Sequence, residues 1–98
     1  PQVDAYLITL GDGVDIEGNK LAEQWRDQVE EIRLQNHCGG GNMKKQMKRA
    51  DKSGAQIALI LGEDEIANGK ITVKYLRGQH EQQSIALAEV PSLLASLI

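Results

Sequence analysis

The stretch NHCGGGNMKKQMKRADKSG, residues 36–54, determines how the rest of the chain is interpreted. Three consecutive glycines stand between an apolar-alternating run and a segment rich in lysine. Consecutive glycines permit positive φ angles and let another molecule approach the backbone closely. Asn42 is a suitable N-cap for a following helix. Because Met43, Met47 and Ala50 recur at the spacing of one helical face, the stretch predicts a glycine loop that leads into a helix.

The other faces of this predicted helix are basic, with Asp51 as the single acidic residue. The cations are Lys44, Lys45, Lys48, Arg49 and Lys52. Exposed loop amides, a helix N-terminus and clustered cations together suit an anionic partner. A purely solvated helix face is the alternative, and the residue types leave both interpretations open.

The composition indicates one acidic globular domain. The 98 residues can bury a modest core, and 41% of them are hydrophobic and 26% charged. Only 3% are aromatic and phenylalanine is absent, so we expect an aliphatic core. The net charge of -3 and the pI near 5.3 argue against nucleic-acid binding through bulk charge. Any such binding requires a local basic patch.

Three observations bear on compartment and on completeness. The single cysteine, Cys38, cannot form an internal disulfide, which favours the reducing cytoplasm. No apolar run approaches the roughly 18 to 20 residues of a membrane span, and no signal-peptide pattern opens the chain. Because the chain starts at Pro1, we interpret residues 1–98 as a single domain cut from a longer protein.

Alternating strand and helix patterns in the first two thirds predict two consecutive βαβ units. Short apolar or alternating runs predict strands at residues 3–10, 32–36 and 56–61. Helices are expected from residue 16 to about residue 31, with Asp15 as N-cap, and after Asn42, with Gly54 closing the second helix. Right-handed crossovers place three parallel strands in the order 2-1-3. Their carboxyl edge would collect residues 11–13, 37–42 and 62–65, where ligands usually bind.

The last third of the chain predicts a hairpin and a final helix. An acidic turn of helix or loop follows residue 62, and alternating runs at residues 70–76 and 82–87 form the hairpin strands. Residues 90–98 have an apolar helical face with Pro91 near its start. The predicted architecture is a three-layer α/β/α domain with a mixed sheet of five strands.

No residue pattern in the chain makes a convincing active site. His37 and Cys38 suggest a thiol nucleophile, but sequence neighbours rarely face each other, and His80 lies far along the chain. One cysteine and two scattered histidines cannot supply four zinc ligands. The phosphate-loop pattern GxxxxGK[ST] and the dinucleotide pattern GxGxxG are both absent. We therefore predict no catalytic residue, metal or cofactor in this chain, with a small thiol enzyme using Cys38 as the rival hypothesis.

Residues 37–82, HCGGGNMKKQMKRADKSGAQIALILGEDEIANGKITVKYLRGQHEQ, resemble the carboxy-terminal anticodon-binding domain of bacterial histidyl-tRNA synthetase. The resemblance extends over essentially the whole chain and rests on the combination of GGGN-x-KKQ, A-D-x-x-G-A, LGE-x-E-x-x-x-G and V-K-x-L. It implies a five-stranded mixed sheet in the order 2-1-3-4-5 with strand 4 antiparallel. It also implies a class II ligase that attaches histidine to tRNA, with ATP and magnesium used by an amino-terminal catalytic domain outside this chain.

The resemblance also implies site residues. Related synthetases read anticodon bases with the acidic loop after the third strand and a basic residue on the fourth. Glu65 and Lys74 match those positions, and Glu63 is a weaker match. Lysine lacks the bidentate geometry of the arginine found at the fourth-strand position in some relatives. Gly40, Gly41 and Asn42 would line the carboxyl edge of the sheet. Lys44 and Lys45 would lie nearer the phosphates of the RNA.

By this resemblance the chain is an RNA-binding specificity module that positions tRNA(His) for aminoacylation. Its expected partners are the anticodon stem-loop of tRNA(His) and its own catalytic domain, within a cytoplasmic parent that is a homodimer. The alternative is a regulatory or scaffolding domain of a synthetase-like paralogue that no longer charges tRNA.

Overall fold

The computed structural model describes residues 2–36 and 41–98. Its strands are β1 (Ala5–Leu10), β2 (Leu34–Asn36), β3 (Ile57–Gly62), β4 (Lys70–Tyr75) and β5 (Gln83–Ala86). Its helices are α1 (Val14–Gln28), α2 (Met43–Lys52), α3 (Glu63–Asn68) and α4 (Val90–Ala95), with a 3₁₀ turn at Leu87–Glu89. The strands form one sheet in the order β2-β1-β3-β4-β5. β1 is parallel to β2 and β3, whereas β4 is antiparallel to β3 and to β5. The predicted fold class and strand order are therefore confirmed.

Several predicted boundaries differ from the observed ones. α1 begins at Val14 with Gly13 as N-cap, so the expected cap Asp15 lies in the first helical turn, where a negative charge is favourable because the N-terminal end of the helix dipole is positive. β2 begins at Leu34 rather than at residue 32; the backbone N–H of Arg33 donates to the Asp4 carboxylate at 2.9 Å, while the Arg33 carbonyl accepts from the backbone N–H groups of Asp4 and Ala5. The last helix stops at Ala95, short of the expected residue 98.

The two faces of the sheet have separate apolar clusters. On one face, Leu59 of β3 and Val73 of β4 pack with α1, α4 and Ile66 of α3. On the opposite face, Ile8 of β1 packs with Ala50 of α2. The core is aliphatic apart from Tyr6 and Trp25, as expected.

The two faces are covered unequally. Helix α2 lies over β1 and the centre of the sheet, while α1, α3 and α4 lie on the other side. Because Ile71 and Val73 of β4 point toward α1 and α4, the alternate residues of this strand point to the α2 side. There Lys70 and Lys74 are exposed and Thr72 is half-buried, as is typical of a strand surface without a covering helix. The sheet therefore presents an open face, defined here as the α2 side of β4 and β5.

Candidate nucleic-acid interface

The end of the glycine loop and the start of α2 have the predicted capping geometry. Asn42 is the N-cap, and its side-chain oxygen accepts a hydrogen bond from the backbone N–H of Lys45 at 2.8 Å. Gly41 before it has φ +107, a conformation that glycine adopts without a Cβ clash. At the other end of the helix, Gly54 follows the C-cap with φ +81, as predicted. Gly41 therefore leads through Asn42 into a well-capped basic helix.

The buried face of α2 matches the predicted one in part. Ala50 is fully buried and Met47 packs half-buried against the same apolar cluster, as predicted, but Met43 is 37% exposed and Gln46 is fully buried. The Gln46 carboxamide accepts a hydrogen bond from the N–H of Thr9 at 3.2 Å and donates to the carbonyls of Thr9 and Gly41, each at 2.9 Å. Residue 46 shares the helical spacing of Met43 and Ala50, so this spacing could have indicated its burial. Because glutamine is polar, the pattern of apolar residues did not include Gln46 in the buried face.

Glu63 forms a hydrogen bond with the loop of residues 11–13, which follows β1 at the carboxyl edge. Its Oε1 accepts a hydrogen bond from the backbone N–H of Asp12 at 3.1 Å. A Cβ placed on Gly11 would lie only 2.7 Å from the same oxygen, and Gly11 has φ +109. The sequence resemblance suggested Glu63 as a weak base contact, and in the structure one of its oxygens already bonds to the protein.

Glu65 connects α3 to the open face of the sheet. Its Oε1 accepts from the backbone N–H of Gly62 at 2.9 Å, and its Oε2 accepts from the Thr72 hydroxyl at 3.1 Å. An ionised carboxylate has about four acceptor positions, so these two bonds leave capacity for a donor from a ligand. Thr72, which the sequence analysis did not single out, thus orients the carboxylate beside β4.

Lys74 lies on the open face rather than at the carboxyl edge. It pairs with Ala58 of β3, four residues before Gly62, which corresponds to about 13 Å along the strand. Thr72 pairs with Ile60 and therefore lies between Lys74 and the edge. The structure thus places Glu65, Thr72 and Lys74 along one path that leads from the edge onto the open face.

Gly41, which precedes α2, also lies at the carboxyl edge. Gln46 joins Gly41 to Thr9, which pairs with Leu61 one residue before the end of β3. Lys44 and Lys45 are exposed in the first turn of α2, next to this loop. The structure therefore brings Gly41, Asn42 and the two lysines to the edge that the sequence predicted.

The basic residues divide into two groups. Lys20, Arg33 and Arg77 form ion pairs with Glu17, Asp4 and Asp51, and Arg26 donates to the carbonyl of Leu34. Within residues 2–36 and 41–98, the other lysine and arginine side chains have neither an ion pair nor a hydrogen bond. All of them lie on α2 or on the α2 side of β4. They are Lys44, Lys45, Lys48, Arg49, Lys52, Lys70 and Lys74.

Acidic residues dominate the opposite layer. Helix α1 carries Asp15, Glu17, Glu23 and Asp27, and it packs on the other face of the sheet. The protein therefore has a basic side, defined by α2 and the open face, although its net charge is -3. Tyr6 lies beneath α2 on this side: burial raises the pKa of its hydroxyl, and the nearby Arg49 cation offsets part of that rise.

Part of the predicted site lies outside the described residues. Gly40, together with His37 and Cys38 of the thiol hypothesis, belongs to residues 37–40. Among residues 2–36 and 41–98, no three histidine, cysteine or acidic side chains are grouped closely enough to bind a metal ion. None of the helices in that part of the chain has the length and apolar character needed to cross a membrane.

Comparison with known proteins identifies the same type of domain. The family described as Anticodon binding domain matches residues 4–97. Histidyl-tRNA synthetase from S. aureus is 29% identical with a TM-score of 0.83 over 95% of this chain and 26% of that one. Histidyl-tRNA synthetase from Nostoc sp. PCC 7120 is 24% identical with a TM-score of 0.85, over 98% of this chain and 22% of that one.

The chain is also similar in fold to a domain of a threonyl-tRNA synthetase. The RNA binding domain of threonyl-tRNA synthetase from Cryptosporidium parvum Iowa II is 12% identical, with a TM-score of 0.84 over 97% of this chain and 23% of that one. At that identity the likeness concerns the fold alone. The chain thus spans about a quarter of the length of the solved proteins that it matches, 22% to 26%.

Proposed function

Because this chain belongs to the Anticodon binding domain family, we propose that it recognises the anticodon stem-loop of tRNA(His) as part of a longer histidine–tRNA ligase. The histidyl assignment is supported by the 29% identity to the S. aureus histidyl-tRNA synthetase. The observation that carries the RNA-binding proposal is the segregation of charge. Every lysine or arginine side chain of the described residues that has neither an ion pair nor a hydrogen bond lies on α2 or the open face.

In the proposed mechanism the basic side first attracts the phosphate backbone. Lys44 and Lys45, beside the N-terminus of α2, neutralise phosphates near the glycine loop. These contacts give affinity and orientation without reading sequence. The acidic α1 layer repels RNA, so the stem-loop approaches the side that carries Gly41 and Asn42.

Base recognition then takes place along the path from the edge to the open face. Unstacked anticodon bases present hydrogen-bonding edges that side chains can read. Glu65, held by Gly62 and Thr72, accepts a hydrogen bond from a base amino group, and Lys74 donates to a base carbonyl or ring nitrogen. Glu63 contributes mainly by holding the loop at Asp12 in place.

The chain supplies binding rather than chemistry. In this proposal, the catalytic domain of the parent protein uses ATP and magnesium to join histidine to the tRNA. The parent is a cytoplasmic homodimer, and the present domain orients its tRNA for that reaction.

The test compares Lys74→Ala with Lys48→Ala against stem-loops carrying the histidine anticodon and single-base anticodon variants. We expect Lys74→Ala to lower the binding free energy for the cognate stem-loop by about 1 to 3 kcal/mol. The loss should be smaller for the stem-loop in which the base contacted by Lys74 has been replaced. Lys48→Ala, on the exposed side of α2, should weaken binding to all stem-loops by the same factor. Fluorescence anisotropy at fixed low salt measures the dissociation constants.

Lys20→Ala is the matched control, since it removes one lysine from the acidic helix α1. It should leave every dissociation constant unchanged. Equal losses for Lys74→Ala across all anticodons would contradict base reading by Lys74. Equal losses for Lys20→Ala and Lys48→Ala would contradict RNA binding on the basic side.

A further inference from the structure

The Gln46 side chain bonds to the backbone of β1 in the way that a neighbouring strand would. Within the described residues, β2 pairs with β1 at Ala5, Tyr6 and Leu7, and β1 continues to Leu10. Beyond that point, the N–H and the carbonyl of Thr9 both bond to the carboxamide of Gln46, at 3.2 and 2.9 Å. This pair of bonds is what the backbone of a neighbouring parallel strand would provide. The side chain of an α2 residue therefore completes the hydrogen bonding of β1 at the carboxyl edge.

The remaining hydrogen bond of Gln46 reaches the glycine loop. Its amide nitrogen also donates to the carbonyl of Gly41 at 2.9 Å. A glutamine amide has two N–H donors, and both are used here, in a side chain that is fully buried. Gly41 has φ +107, and glycine can adopt many other backbone conformations as well. A contact from another part of the protein is therefore needed to favour the observed conformation of Gly41. That contact comes from Gln46.

We propose that Gln46 is a positioning residue for RNA binding: it holds Gly41, which precedes α2, against β1 in the geometry that receives the stem-loop. This inference rests on the proposed function, because the ligand is the same RNA. When only a fraction of the protein has the competent loop, the apparent dissociation constant rises in inverse proportion to that fraction. A hydrogen bond of this kind shifts such an equilibrium by about two- to tenfold.

The experiment uses the 98-residue chain with two substitutions of similar size. Gln46→Glu keeps an acceptor for the Thr9 N–H but loses both donated hydrogen bonds when ionised, whereas Gln46→Met loses all three. Val90→Ala is the control, since it truncates a fully buried side chain of α4 in the apolar cluster on the opposite face. Urea titrations establish conditions under which each variant is folded, and stem-loop binding and the amide resonances of Gly41 and Asn42 are measured there.

We expect both Gln46 variants to bind the stem-loop about two- to tenfold more weakly, and to shift or broaden the Gly41 amide resonance. Val90→Ala should lose stability and yet bind with the wild-type dissociation constant. Wild-type binding by Gln46→Met, or an unchanged Gly41 resonance in both variants, would overturn the positioning role. If the unaltered protein binds no stem-loop, the proposed function fails, while the Gly41 resonance of the unliganded variants still decides whether Gln46 positions the loop.

Discussion

Replacing Gly18 with alanine tests how closely α1 packs on the sheet. Gly18 is buried in α1, and a Cβ added to it would lie 2.6 Å from the Thr9 Cγ2 methyl and 3.4 Å from Leu7 Cδ2. Alanine gains about 1 kcal/mol over glycine in helix propensity. Overpacking costs about 1 to 3 kcal/mol. Because the Thr9 side chain is β-branched and stiff, we place that cost in the upper half of the range and expect a net loss of about 1 to 2 kcal/mol.

A double-mutant cycle isolates the clash. Thr9→Ala removes the methyl group but leaves the backbone hydrogen bonds of Thr9 to Gln46 intact. The free energy of unfolding of the wild type, both single variants and the double variant is measured by urea titration. In the Thr9→Ala background, Gly18→Ala should become neutral or stabilising by up to about 1 kcal/mol. Stabilisation by Gly18→Ala alone, or an equal loss in both backgrounds, would refute the packing argument.

Three further predictions concern single groups. Burial raises the pKa of Tyr6 above its ordinary value of 10.0, so its contribution to the free energy of unfolding should be complete below about pH 10 and be lost as the pH rises through the higher folded-state pKa. Tyr6→Phe should abolish this alkaline loss of stability, as measured by urea titrations at several pH values. A pH profile that Tyr6→Phe leaves unchanged would count against the burial argument. Asn42→Ala should lower the free energy of unfolding by about 0.5 to 2 kcal/mol because it removes the cap on Lys45, whereas Asn42→Asp should keep most of it, and thermal melts showing equal losses would argue against capping. Asp51→Asn should cost less than about 1 kcal/mol, because the ion pair with Arg77 is exposed and Arg77 also donates to the Asp51 carbonyl; a larger, salt-insensitive loss in chemical denaturation would contradict this.

The parts of the fold that follow local rules were predictable from sequence. The apolar run of β3 and the cap at Asn42 lie where the sequence places them, since each depends on a few neighbouring residues. The start of α1 did not follow, because Gly13 in a left-handed conformation takes the cap position that Asp15 was expected to fill. At the start of β2, Arg33 makes a contact that is distant in sequence, with the Asp4 carboxylate, and local patterns do not indicate it.

The candidate site was predictable only in outline. The parallel strand order indicated the carboxyl edge, and the described loop residues Gly41 and Asn42 lie there. The bonds of Glu65 to Thr72, and of Gln46 to Thr9, join residues that a pattern of apolar spacing does not connect. The alternation of β4 indicates that Lys74 points away from Ile71 and Val73, but its distance from the carboxyl edge depends on the pairing of β4 with β3.

The most direct test of RNA recognition by the basic side is NMR chemical-shift perturbation of the 98-residue chain by a tRNA(His) anticodon stem-loop at low salt. The account predicts shifts at Asn42 and Lys45 beside the glycine loop, and at Glu65, Thr72 and Lys74 on the path to the open face. An unrelated stem-loop should perturb the α2 lysines but not that path. Shifts on α1, or identical shifts with both RNAs, would contradict the account.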